Sequence, residues 1–135
     1  MPLKAGADPA RNHSVCSETT AQQLRLIVSS VQPMTTAGGH TIQGLARGVW
    51  LSLQEVDRQK REIHISQPYA LPPVEIWDDV SFETEFGPNI GFVIGQDLLQ
   101  DQNNWQVTIQ SHSLKLTSLK PCQIRKISGL STKTP

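Results

Sequence analysis

Residues 91–95 read Gly-Phe-Val-Ile-Gly, a three-residue apolar run closed at both ends by glycine. Nothing else in the chain restricts its fold as much. The run is too short for a helix and rich in strand-forming side chains. A glycine at each end predicts a bend or a close backbone approach there. The chain then turns polar over Gln96–Asn104, apart from Leu98 and Leu99, and returns as Trp105-x-Val107-x-Ile109. That alternation predicts a strand with Trp105, Val107 and Ile109 pointing inward. A short, curved sheet with a polar loop between two of its strands accounts for the whole pattern.

The rest of the chain is punctuated in the same way. Val80, Phe82, Thr84 and Phe86 alternate with Ser81, Glu83 and Glu85, then meet the turn residues Gly87-Pro88-Asn89. Leu114–Thr117 and Cys122–Ile127 predict two further strands. Several short strands at regular spacing suggest a sandwich or barrel, and a sheet this small covers its apolar face by closing on itself. Upstream, Val49, Leu51 and Leu53 share one strand face, and Trp50 and Ser52 share the other. Ile63 and Ile65 alternate with His64. The charged turn Asp57–Arg61 lies between these runs and predicts a hairpin, which the prolines of Gln67–Pro73 end. Residues 20–31 fit two templates. Leu24, Ile27, Val28 and Val31 have helical spacing, with Thr20–Gln23 as a capping box and Pro33 as a stop. Leu24, Leu26 and Val28 also alternate as a strand would, and both readings stay open.

A chain of 135 residues supports one domain. No apolar run approaches the roughly 20 residues of a membrane span. The start, MPLKAGADPARNHS, lacks the layout of a secretory signal, so a cytoplasmic location is expected. The formal net charge is zero, which gives no global pull toward nucleic acid or anionic lipid. The charges are nonetheless segregated. Glu62–Leu114 holds eight acids and no Lys or Arg, whereas the chain from Lys115 onward holds five bases and no acid. The basic end is expected to fold back near the acidic middle. Cys16 and Cys122 show neither CxxC spacing nor a nearby histidine cluster, so buried or idle thiols in a reducing compartment are expected, with a Cys16–Cys122 bridge left open because sequence does not give distance.

The succession Asp79-Val80-x-Phe82, Gly91-Phe92-Val93-Ile94-Gly95, Trp105-x-Val107-x-Ile109 and Leu119-Lys120-Pro121-Cys122-Gln123-Ile124 resembles an SH3-like barrel. The Pro-Pro-Val-Glu ahead of this order is similar to an uncharacterised protein family of filamentous cyanobacteria, a resemblance that implies no activity. The expected organisation is mainly β. A disordered leader spans 1–16, and a helix or strand plus an added β-hairpin spans 17–73. A small SH3-like barrel spans 74–128, and a disordered tail spans 129–135.

Chemistry-bearing motifs are sparse. Asp78 and Asp79 are neighbours, so strand geometry points them apart, and turn or strand-start roles are expected. His64 is expected to face solvent. The segment AGGHT matches neither GxGxxG nor a Walker loop, and no serine is framed as Gly-x-Ser-x-Gly. No catalytic residue, cofactor or metal site is predicted. The favoured function is a non-catalytic binding or accessory protein, a protein-interaction module with a groove made from Trp50, Tyr69 and Trp77. The alternative is a nucleic-acid-binding small barrel that uses Arg58, Lys60 and Arg61 on the hairpin turn with Lys120, Arg125 and Lys126.

Overall fold

The computed structural model describes residues 3–35, 39, 41–110 and 113–127. His40, His112, most of the AGGHT turn and the tail from 128 onward lie outside the described residues. In chain order the elements begin with β1 (Ala5–Ala7), β2 (Val15–Ser17), α1 (Glu18–Gln23), β3 (Val28–Thr35) and β4 (Thr41–Ala46). There follow β5 (Trp50–Leu51), β6 (Gln54–Asp57), β7 (Glu62–Ile65), β8 (Tyr69–Ala70), β9 (Val74–Trp77) and α2 (Asp79–Phe86). The last are β10 (Phe92–Ile94), α3 (Gln96–Leu99), β11 (Trp105–Gln110), β12 (Ser113–Ser118) and β13 (Gln123–Lys126). The chain is therefore mainly β, as its alternating pattern predicts.

The core is built on a six-stranded mixed sheet in the order β1-β10-β2-β9-β4-β3. β1 runs parallel to β10 and β2 parallel to β9; the other pairs are antiparallel. Every residue of β2 and β10 is buried, because both faces of the sheet are covered. Val15, Ile42, Trp77 and Val93 point to one side, where α2 lays Phe82 and Phe86 over them. Cys16, Val74, Ile76, Phe92 and Ile94 point to the other, against Ala21, Leu98, Leu99, Val49, Leu71 and Trp105. Full burial of a side chain such as Phe82 stabilises the fold by roughly 2 kcal/mol.

Two-sided burial explains the glycine-bounded run. A Cβ on Gly91 would collide with the Thr20 hydroxyl. One on Gly95 would lie 2.7 Å from the His13 carbonyl and 2.9 Å from that of Arg11. β10 thus needs glycine at both ends because the Thr20 side chain crowds Gly91 and other backbone crosses at Gly95, not because the sheet curls.

Several expectations give way. The leader at 1–16 supplies β1 and β2; runs of three residues are too short to show a period in sequence. The boundary at Pro73 does not separate two units, since the large sheet draws strands from both sides of it. Residues 80–86 form a helix and not a strand. Asp78 caps it, its Oδ1 accepting from the Ser81 amide at 2.9 Å, and Gly87, at φ 86°, ends it. Phe82 and Phe86 satisfy strand alternation and i, i+4 helical spacing equally, and the caps decide. Helix and strand both occur within 18–35. α1 starts at the Ser17 cap and not at Thr20, Arg25 adopts φ 56°, and β3 follows. Pro33 falls within β3, an edge strand whose register shifts between Ser30 and Met34. The polar connector contains the one-turn helix α3, which buries Leu98 and Leu99.

The smaller sheets are β11-β12, β5-β8 and β13-β7-β6. Among the described residues the sheets do not close into a barrel. Trp105 is inside at 3 % exposure, as expected, but Ile109 is 72 % exposed, because β11 leaves the core along its length. The hairpin closes on the expected turn, yet β7 pairs with β6 and not with the run at Val49–Leu53.

Candidate functional site

The three-stranded sheet is held together at the hairpin turn. Asp57 Oδ1 accepts from the amides of Gln59 and Lys60, both at 3.1 Å, which folds the turn back on its own first strand. Arg61 takes the left-handed conformation, at φ 53°, that completes it. The register then sets Asp57 opposite Glu62 and Glu55 opposite His64. On the other side of β7, Lys126 lies opposite Glu62 and Ile124 opposite His64. Paired residues share a face, so Glu55, Asp57, Glu62, His64, Ile124 and Lys126 occupy one side of this sheet.

Glu62 is the hub of that side. Its Oε1 accepts from Lys126 Nζ at 2.7 Å, and its Oε2 lies 3.1 Å from His64 Nε2. The Lys126 hydrogen bond, then that of His64, holds its carboxyl below the usual range. One donor atom each from Asp57, Glu62 and His64 lies within 4.8 Å of the other two. No local sequence signal joins these three residues. Glu62-x-His64 was legible as one strand face, but placing Asp57 on it required the correct partner strand.

The basic residues of the nucleic-acid reading are partly gathered. The Ile127 amide donates to the Arg61 carbonyl at 2.9 Å, which brings the end of β13 to the turn carrying Arg58, Lys60 and Arg61. Arg125 and Lys126 therefore reach the same end of the sheet, with Lys126 engaged by Glu62. Lys120 lies apart, lining a cleft of about 70 Å³ with Tyr69, Asn104, Trp105 and Ser118. The Lys126–Glu62 pair also brings the basic end of the chain against the acidic middle, as its charge segregation predicts.

Trp50, Tyr69 and Trp77 do not form one groove. Trp50 is 66 % exposed on β5, whereas Trp77 is fully buried in the large sheet. Trp50 pairs with Ala70 and Leu51 with Tyr69, so Trp50 and Tyr69 project to opposite faces. Tyr69 turns inward, edge-on to Trp105 at 5.7 Å between ring centroids, and its hydroxyl donates to Asp101 Oδ2 at 2.9 Å. Burial, then that hydrogen bond, pushes the phenol up to about 12. Asp78 and Asp79 also diverge: Asp78 caps α2, and Asp79 accepts from the backbone and hydroxyl of Thr19.

Among the described residues, no helix is long and apolar enough to cross a membrane. No family model, curated protein or solved structure matches the chain.

Proposed function

We propose that the protein is a non-catalytic binding module whose contact element is the sheet β6-β7-β13 and whose partner is another polypeptide. The observation that carries this reading is the absence of any fully buried residue in the three strands. Val56 and Ile124, on opposite faces, are each more than half exposed. β6 and β13 are the outer strands of the sheet, so each has a backbone edge unpaired within it. An added strand from a partner satisfies such an edge while side chains of the face select the sequence. The strands that carry the SH3-like resemblance, β10, β11 and β13, lie in three separate sheets, which leaves the buried Trp105 as the feature consistent with it. The Asp79–Phe82 motif, which opens a helix, does not support it.

The test is hydrogen exchange on the native complex isolated from its host. Amides of 54–57 or 123–126 are expected to slow when the partner is bound. Protection confined to the six-stranded sheet would remove the proposal.

A second reading, nucleic-acid binding, draws on the meeting of Arg58, Lys60 and Arg61 with Arg125. Phosphate contacts strengthen as salt falls, so gel-shift assays at low ionic strength discriminate. Absence of a shift there with both single-stranded and duplex probes eliminates this reading.

A further inference from the structure

We propose that Asp57, Glu62 and His64 form a site for a first-row divalent cation, zinc above all. The site stands independently of the binding-module reading. Its three donors come from one hairpin whose register is locked by the Asp57 turn, so they converge without any distant segment being moved. Their donor atoms already lie within 4.8 Å of one another. A tetrahedral site with bonds of about 2.0–2.2 Å separates its donors by about 3.4 Å, a change that side-chain rotation supplies. One imidazole with two carboxylates suits a first-row transition ion; a site for magnesium or calcium would use oxygen alone. Three protein donors leave a position for water. Asp57 and His64 line a cleft of about 430 Å³ together with Arg58 and with Glu55, which lies across the sheet from His64; Glu62 is not part of its lining.

The second observation is the charge around the trio. Asp57 and Glu62 face each other across neighbouring strands, a like-charge pair that disfavours the sheet unless a cation lies between or beside them. The Lys126 ammonium sits on Glu62 at 2.7 Å and partly meets that need. The Lys126 side chain is 75 % exposed, so it can swing into water when a doubly charged ion arrives. Lys126 is therefore both the stand-in for the ion and its competitor.

The experiment titrates zinc, and separately cobalt, into full-length protein stripped with a chelator, followed by calorimetry and by the visible spectrum of bound cobalt. One ion per chain is expected, undisturbed by a large excess of magnesium. His64→Ala and Glu62→Gln each weaken binding by roughly tenfold or more. Lys126→Met tightens binding severalfold, which a purely structural salt bridge does not predict and which does not depend on the weakened variants being folded. Binding that survives both His64→Ala and Glu62→Gln, or that disappears with Cys122→Ser alone, overturns the proposal. A Lys126→Met variant that binds more weakly than the parent also overturns it.

Discussion

Asp97 holds Ser14 with both of its carboxylate oxygens. Oδ2 accepts from the Ser14 amide and Oδ1 from its hydroxyl, each at 2.8 Å, across 83 residues of sequence. Ser14 is fully buried, and its oxygen accepts in turn from the Gly95 amide at 3.1 Å. The Ser14 carbonyl accepts from the Glu75 amide at 3.0 Å. One serine thus ties the segment before β2 to the ends of β9 and β10. Asp97→Ala leaves a buried amide and hydroxyl without their acceptor and is expected to cost about 2–4 kcal/mol. Urea denaturation measures it. A loss below about 0.5 kcal/mol, the range of a neutral surface change, would show that this clasp contributes nothing.

Gly91 and Thr20 make the second prediction. Gly91→Ala drives a methyl group into the Thr20 side chain, which is itself buried, and is expected to cost about 1–3 kcal/mol. Thr20→Ala removes the hydroxyl and methyl that obstruct it. The double variant is therefore expected to be more stable than the sum of the single losses implies. Simple additivity in the cycle would show that Thr20 is not the obstacle.

The two thiols are expected to differ in reactivity. Cys16 and Cys122 are unpaired; Cys16 is buried and Cys122 half-buried. Burial, then the charge of Asp79, pushes the Cys16 thiol up from 9.0 to about 12. The folded state thus favours the neutral thiol. That contribution to stability is fully present below pH 9 and is lost as pH rises from there toward 12. A colorimetric thiol reagent at neutral pH should label Cys122 promptly and Cys16 at the rate of opening. Equal fast labelling of both would contradict the burial of β2.

Indole fluorescence gives a direct reading of the core. Trp77 and Trp105 are 0 % and 3 % exposed, and Trp50 is 66 % exposed. Iodide is expected to quench a red-shifted component that Trp50→Phe abolishes, leaving blue-shifted emission that iodide barely touches. That substitution should change stability by no more than about 0.5 kcal/mol. Persistent quenching in Trp50→Phe would move one of the other two indoles to the surface.

Local sequence patterns specify some of these elements and not others, for physical reasons. The turn at Asp57–Arg61 and the strand at Glu62–Ile65 were legible, because a charged turn and period-two alternation are local signals. Phe82 and Phe86 were not, because a spacing of four residues serves both a strand face and a helix face. The candidate site shows the same limit at closer range. Glu62 and His64 share a face in any strand, but Asp57 joins them only when Gln54–Asp57 is the partner strand, and the apolar run at Val49–Leu53 is the stronger strand signal.

Alternation, glycine and proline were enough to establish a mainly β chain, the interior position of Trp105 and crowding at Gly91 and Gly95, of which only Gly95 is met by backbone. Each of these follows from the sterics and solvation of a few neighbouring residues. Strand order, the use of Ala5–Ala7 and Val15–Ser17 as sheet, and the meeting of Asp57 with Glu62 and His64 were decided only in three dimensions. They depend on which distant surfaces bury one another best, and the free energy of that choice is shared among residues that no local window contains.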